Sequence, residues 1–177
     1  MTTQEAIVAH RRADGDYDGL SFNGITSRLM RDDGLTNDQL ELVDALDRGF
    51  YNCTPASSEF VVFRGGHRAM IDSIMQDACG RYLAYAATSR DIGEASRFLT
   101  FGANSVLLRI VCPVGSRYLE ISDPALATLE RHEVLLPRGQ RFLVEPWDIS
   151  TQPLGVTLQL RLTPASAYWQ LTAIPDP

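Results

Sequence analysis

The spacing of apolar residues changes from helical in the first third of the chain to strand-like in the last third. In the segment LTNDQLELVDALDRGFYN, the apolar residues at helical intervals are Leu40, Val43, Leu46 and Phe50. Thr36, with Gln39 three residues later, has the form of a capping box and predicts where this helix begins. Acidic residues occupy the other faces, as expected for the solvated side of a helix packed on a core.

The remaining segments predict an α+β domain. YDGLSFNGITSRLMRDDG and HRAMIDSIMQDACG have apolar residues at helical spacing, RYLAYAATS resembles a strand, and RDIGEASRFLTF resembles a short helix. The later segments that predict strands are SVLLRIVCP, SRYLEIS, HEVLLP, QRFLVEP and GVTLQLRL. Helices followed by closely spaced strands, without repeats or linkers, predict one domain over 1–177 with a helical part at 1–55 and a strand-rich part at 56–177.

The segment FVVFRGGH places a charged residue directly after a buried strand. Its first four residues are aromatic or β-branched, which fits a strand covered on both faces. Arg64 therefore stands at the exit of a rigid element. Gly65 and Gly66 follow, and they allow the chain to turn sharply or a bulky group to approach the backbone.

Composition narrows the classes of function. The 177 residues carry a formal net charge of −6, and 45% of them are hydrophobic. This is the composition of a globular protein with one substantial core. The acidic balance argues against a general polyanion-binding surface, but it is compatible with a local basic groove.

Cysteine and histidine are too scattered to indicate a metal site. The residues are Cys53, Cys79, Cys112, His10, His67 and His132. Without a CxxC pair, neither a zinc knuckle nor a disulfide framework is expected, and we predict no metal. The chain has no apolar run of membrane-spanning length, and its first residues lack the apolar core of a signal peptide. We therefore expect a protein that is cytoplasmic or is delivered without a cleaved signal.

Three short motifs follow one another along the chain, each at the end or the start of a predicted strand. FVVFRGG contains Arg64, and HEVLLPRG contains Glu133. Between them, AYAATSRDIGEASRF contains Thr88 and Ser89 in AATS and Phe98 in EASRF. Singly, each has an ordinary explanation, because a Thr-Ser pair usually caps a helix and a charge at a strand end is usually solvated. As an ordered set, they resemble the arginine-serine-glutamate class of mono-ADP-ribosyltransferases, which includes many bacterial toxins and effectors.

The resemblance covers about residues 18 to 144, and EVLLPRG is its most specific part. In that class one strand ends in Arg-Gly, a second carries Ser-Thr-Ser before a helix with an Ala and Phe pair, and a third begins with Glu-x-Glu before VLLPxG. The matching text here is FRGG, AATS with EASRF, and RHEVLLPRG. The fold implied has N-terminal helices packed on a mostly antiparallel two-sheet β core, with 56–177 as the NAD-binding part.

Two positions depart from the pattern of the class. Ala87 stands where the class has its first serine, so one hydroxyl is missing. Arg131 lies two residues before Glu133, where arginine-modifying members carry glutamate and several others carry glutamine. Since alternate residues of a strand share a face, Arg131 is predicted to face the cleft and repel a guanidinium acceptor. Glu130 would take this place only if the loop had an extra residue, which the sequence leaves open.

The resemblance implies a catalytic role for the last motif. Release of nicotinamide from NAD leaves positive charge on the ribose, and a fixed carboxylate stabilises that charge. Glu133 is the candidate for this carboxylate. Arg131 is the second candidate catalytic residue, through its effect on which acceptor can approach.

The first two motifs are the candidates for binding NAD. Arg64 would bind the diphosphate, since a guanidinium makes two parallel bonds to it, and Gly65 would keep the cleft wall low. Ser89, or Thr88 on the other face, would hydrogen-bond Arg64 or Glu133. Phe98 would wall the nicotinamide pocket, or would belong to the core, which is the commoner place for such an aromatic residue.

The function implied is transfer of ADP-ribose from NAD to a macromolecule, a glycosyltransferase reaction, by a bacterial toxin or effector. A protein acceptor is favoured over a nucleic acid, and Arg131 favours a residue other than arginine. An immunity protein or antitoxin is a further implied partner, and no membrane is expected to bind. Localisation would be soluble, with delivery or secretion without a cleaved signal peptide and action in a target cell's cytoplasm. Two alternatives stay open: an NAD glycohydrolase with the same site, and a catalytically silent relative that binds NAD or protein.

Overall fold

The computed structural model describes residues 1–10, 22–99, 104–121, 133–152 and 167–175. Helices in these ranges are α1 (Thr3–His10), α2 (Phe22–Arg31), α3 (Asn37–Asn52), α4 (Ala69–Gln76) and α5 (Ile92–Ser96), with a 3₁₀ turn at Ile149–Thr151. Strands are β1 (Phe60–His67), β2 (Arg81–Tyr82), β3 (Ala86–Ser89), β4 (Ser105–Cys112), β5 (Leu119–Ile121), β6 (Glu133–Leu136), β7 (Gln140–Pro146) and β8 (Ala167–Ile174). The predicted strand GVTLQLRL lies outside the described residues.

Helix α3 begins where its sequence predicts. The Gln39 amide donates to Thr36 Oγ1 at 3.3 Å, and the Thr36 amide donates to Gln39 Oε1 at 3.0 Å. Its buried stripe consists of Gln39, Leu42, Val43, Ala45, Leu46 and Phe50. Leu40 is 46% exposed, so its assignment to the apolar side was wrong. It lies one residue beyond Gln39, and that step of about 100° turns it away from the core.

The eight described strands form one sheet in the order β2-β7-β8-β4-β1-β3-β6-β5. The β4–β8 pair is parallel and the other pairs are antiparallel. The prediction of an α+β fold with a mostly antiparallel core is therefore confirmed. Among the helices in the described ranges, none combines the length and hydrophobicity needed to span a lipid bilayer.

The sheet has a narrow junction in its middle. Strand β1 pairs with β4 along its whole length, from Phe60↔Cys112 to His67↔Ser105, so the prediction that the strand ends at Arg64 was wrong. It meets β3 at one register pair, Phe63↔Ser89. The two-sheet arrangement is not confirmed, since ladders connect all the described strands. The single pair nevertheless divides the sheet into a five-strand and a three-strand group.

Helices cover the sheet on both sides of this junction. Helix α4 packs on a core that contains Val62, Ile71 and Leu108. Helices α1, α2 and α3 pack on the three-strand group, and α5 packs on Leu107 and Trp147. The layers leave a cleft at the junction, with strand ends from both groups in its walls.

Candidate active site

A cleft of about 680 Å³ lies at the junction of β1 and β3. Its walls include the end of β1, all but the first residue of β3, the start of β6, and residues of α1, α2, α4 and α5. The predicted site residues that it brings together are Arg64, Gly65, Thr88, Ser89, Phe98 and Glu133. In the described ranges, no cluster of three or more His, Cys, Asp or Glu side chains is placed to hold a metal ion.

The side chain of Arg64 reaches across the junction from β1 to β3. Its Nη1 donates to the backbone carbonyl oxygen of Ala87 at 2.7 Å. The guanidinium is thereby held in the cleft wall by the strand opposite. The bond goes to the position where the class has its first serine, and here the main chain supplies the acceptor.

The two hydroxyls of the AATS motif fix the backbone next to Glu133. Thr88 Oγ1 donates to the carbonyl oxygen of Val134 at 2.7 Å, which ties β3 to β6. Ser89 Oγ accepts from the Asp91 amide at 3.0 Å, which shapes the turn into α5. Both side chains are buried. These bonds secure strand ends, and direct bonds from either hydroxyl to Arg64 or Glu133 stay a prediction.

Glu133 is the first residue of β6 and lies between two strands. Its register partners are Ser89 on β3 and Ile121 on β5. Its side chain is half-buried and lines the same cleft as Arg64. Arg131 and Glu130 lie outside the described residues, so which of them stands beside Glu133 stays a prediction.

Gly65 allows α5 to approach β1 closely. A Cβ at this position would lie 2.2 Å from the carbonyl oxygen of Ala95, well inside van der Waals contact. The next residue differs, because a Cβ on Gly66 would meet nothing within 4 Å. Phe98, after α5, is 62% exposed in the cleft wall, so the interpretation that placed it in the core is wrong. Helix α5 is only five residues long and ends at Ser96. Phe98 lies two residues after this end and is not part of the buried face of the helix.

Gly65→Ala is expected to destabilise the protein by about 2 kcal/mol, since the new methyl group displaces a backbone carbonyl. Gly66→Ala is the matched control, and its free energy of unfolding should stay within about 0.5 kcal/mol of wild type because the added methyl enters open space. Urea denaturation of the three proteins measures both values. Equal stability of the two variants would contradict the close approach of α5.

The cleft also contains residues that the motifs did not indicate. These are His10 from α1, Thr26, Ser27 and Arg31 from α2, and His67 at the end of β1. Ser27 and Arg31 are four residues apart on one helix face, which is a signal that the sequence offers. No local pattern connects His10 with a cleft formed by strands far along the chain.

His10 is a buried imidazole in the wall of the cleft. It is 2% exposed, and its ring packs edge-on against Tyr85 with centroids 5.6 Å apart. Burial, helped by the positive charge of Arg64, lowers the pKa of His10 to about 4. The histidine is therefore neutral in the folded protein near pH 7.

This depressed pKa predicts a loss of stability in mild acid. The unfolded chain binds a proton at His10 below about pH 6.5, whereas the folded protein resists it until about pH 4. The contribution of neutral His10 to the free energy of unfolding is therefore complete above pH 6.5. It falls as the pH decreases, and is about 2 kcal/mol smaller at pH 5. Urea denaturation at pH 7.5 and pH 5 should show a loss larger in wild type than in His10→Gln by about this amount. Equal losses would contradict a neutral His10.

Comparison with known proteins identifies the fold. No family model matches the sequence, and no similar sequence is found among curated proteins. Among solved structures, C3stau2 from S. aureus with NAD aligns at TM-score 0.60 and 15% identity, over 98% of this chain and 87% of that one. An ADP-ribosyltransferase from Clostridium botulinum aligns at TM-score 0.57 and 20% identity, over 97% and 84%.

A third similar structure is larger. Exoenzyme S from Pseudomonas aeruginosa, in complex with human 14-3-3 protein beta and bound to carba-NAD, aligns at TM-score 0.53 and 16% identity. The alignment covers 85% of this chain and 66% of that one, slightly less than two thirds of its length. The chain has the fold of the bacterial ADP-ribosyltransferase toxins.

Proposed function

We propose that the protein is an NAD-dependent mono-ADP-ribosyltransferase that transfers ADP-ribose to a macromolecular acceptor. The observation that carries the proposal is the placing of Arg64 and Glu133 in one cleft, on strands either side of β3. A cation and a carboxylate with one strand between them in the sheet suit a substrate that has a diphosphate at one end and, at the other, a ribose that becomes positive. NAD has both groups.

Arg64 binds the diphosphate in this mechanism. A guanidinium presents several N–H donors in one plane, which matches the spacing of phosphate oxygens. The bond to the carbonyl of Ala87 fixes the side chain before the ligand arrives, which reduces the entropy lost on binding. Arg31 adds a second cationic side chain to the cleft wall.

Glu133 stabilises the charge that develops on the ribose. The bond between C1′ and the nicotinamide nitrogen breaks, and nicotinamide leaves as a neutral base with the bonding electrons. The acceptor's nucleophilic atom then forms a bond to C1′ and loses its proton. A carboxylate held by two neighbouring strands stabilises the cationic transition state without reorganising. It also accepts a hydrogen bond from the ribose hydroxyl next to C1′.

We favour a protein acceptor, and a residue other than arginine if Arg131 faces the cleft. Exoenzyme S was solved in complex with human 14-3-3 protein beta, so a protein of this fold binds another protein. The similarity to toxins supports a toxin or effector role that acts in a target cell. An immunity protein or antitoxin that covers the cleft is a further expected partner.

Transfer of label from adenine-labelled NAD to a cell lysate tests this proposal. Label in the protein fraction, absent when Glu133→Gln replaces the wild type, is the expected result. Label only in nucleic acid would establish the transferase and overturn the protein acceptor. Consumed NAD without labelled macromolecules would show a glycohydrolase, and untouched NAD with measurable binding would show a silent NAD-binding protein. Mass spectrometry that finds ADP-ribose on arginine would contradict the inference from Arg131.

A further inference from the structure

The guanidinium of Arg90, just beyond the end of β3, lies over two aromatic rings that contact each other. Its guanidinium carbon is 4.9 Å from the ring centroid of Phe60 and 5.6 Å from that of Tyr118. Those rings contact each other with centroids 4.8 Å apart. Arg90 Nη2 also donates to Glu120 Oε1 at 3.4 Å. We call Arg90, Phe60, Tyr118 and Glu120 the Arg90 clamp.

The clamp connects the two strands that flank Glu133. Ser89 and Ile121 are the register partners of Glu133 in the sheet. Arg90 directly follows Ser89, and Glu120 directly precedes Ile121. The contact between Arg90 and Glu120 therefore joins β3 to β5 across the end of the strand that carries the proposed catalytic carboxylate.

Strand β5 needs such a connection to stay in place. It has three residues, lies at the edge of the sheet that the described strands form, and pairs with β6 through three register pairs. Short edge strands separate easily from a sheet because they have neighbours on one side only. The clamp adds side-chain contacts to β5 through Glu120, its middle residue, and through Tyr118, which directly precedes its first residue.

The side-chain environment of Arg90 differs from that of an ordinary surface ion pair. Its side chain is 32% exposed, and its guanidinium carbon lies over two rings at once. A guanidinium over aromatic faces gains a cation–π attraction, and lysine reproduces its charge but not its planar shape. The contact is therefore suited to holding a precise position.

We infer that Arg90 is a positioning residue for Glu133, which it holds in place through Ser89 and Ile121 without touching the substrate. The inference rests on the proposed function. Arg64 is bonded to the backbone carbonyl of Ala87, and substitution of Arg90 removes neither partner of that bond. Loss of the clamp should therefore affect the chemical step and leave the binding of NAD close to wild type.

Steady-state release of nicotinamide, measured with lysate as acceptor, separates these effects. For Arg90→Gln, kcat should fall on the order of 10- to 100-fold, the range for a catalytic group displaced by about 1 Å. KM for NAD should change less than about twofold, as expected when only the transition state is affected. Arg90→Lys keeps the charge without the planar guanidinium, and its kcat should lie between wild type and Arg90→Gln.

Arg138→Gln is the matched control. Arg138 follows the opposite end of β6, is 41% exposed, and pairs with Asp47 through a contact of 2.6 Å. Its loss removes an arginine ion pair near the same strand but away from Glu133. Thermal unfolding of each variant reports stability, and kcat of Arg138→Gln should stay within about twofold of wild type even if its melting temperature falls.

Each outcome bears on the inference. A selective fall in kcat for Arg90→Gln supports it. Wild-type kcat in a less stable Arg90→Gln shows a merely structural clamp and overturns it, as does an equal fall in kcat for Arg138→Gln. If Arg90→Gln does not fold, Arg90→Lys decides, since unchanged kcat in that variant overturns the role. Wild-type protein that releases no nicotinamide overturns the proposed function, and with it this role of Arg90.

Discussion

Replacing Glu133 with glutamine is expected to slow nicotinamide release from NAD by about 100- to 1000-fold, the cost of removing one preorganised electrostatic contact to a transition state. Glutamine keeps the shape of the side chain and its strand position but removes the negative charge. The ground-state ligand carries little positive charge at C1′ to be stabilised, so NAD affinity should stay near wild type. Nicotinamide release and equilibrium binding of NAD measure the two quantities separately.

Glu94→Gln is the control for this prediction. Glu94 is another carboxylate in the wall of the cleft, but it lies on α5 and pairs with Arg97 at 3.1 Å. Its replacement should change kcat by less than about threefold, because an ion-paired, partly exposed charge contributes little. A large fall in both variants would indicate a general effect of cleft charge. A Glu133→Gln protein with full activity would falsify the assignment of Glu133.

Arg64→Lys is expected to weaken NAD binding by about 100-fold. The substitution keeps one positive charge but loses the planar fork, and two charge-assisted hydrogen bonds at about 1.5 kcal/mol each account for this change in Kd. The bond that orients the side chain toward Ala87 is also lost or altered. Isothermal titration with NAD, and separately with ADP-ribose, measures the effect and should show a similar loss for both ligands.

Arg68→Gln provides the comparison. Arg68 lies four residues after Arg64 and directly follows the same strand. Its guanidinium pairs with Asp72 at 3.2 Å on the exposed side of α4. NAD affinity in this variant should stay within about twofold of wild type, since an exposed i,i+4 pair is worth little and lies outside the cleft wall. If Arg64→Lys retained wild-type affinity for ADP-ribose, the diphosphate would have to bind elsewhere in the cleft.

Local patterns were sufficient to predict most of the described elements, although the predicted strand RYLAYAATS forms two separate strands, β2 and β3. The capping box at Thr36 located the start of α3, because this signal acts over a few residues, and the apolar run before Arg64 located β1 but not its end, since the strand continues to His67. The order of Arg64, Ser89 and Glu133 along three strands then indicated one cleft, which the structure shows. Such patterns can be recognised in the sequence because each depends on residues that are close together along the chain.

Contacts between distant segments could not be predicted in the same way. His10 reaches the cleft because α1 packs on α3 and Tyr85, and nothing within α1 specifies that neighbour. Gly65 was explained by the ligand, whereas the nearest atom to its absent side chain belongs to Ala95 of α5. The exposure of Phe98 depends on how short α5 is, which its helical spacing did not reveal. Each result depends on packing that only the folded chain defines.

The bond from Arg64 to the carbonyl of Ala87 has a consequence for the recognition of distant relatives. Every amino acid has this oxygen, so the bond itself does not depend on which side chain residue 87 carries. A substitution matrix scores side chains and assigns no value to a carbonyl group. A chain can thus lack a signature serine and still anchor its arginine. Comparison of backbone structures will find such chains where comparison of sequences does not.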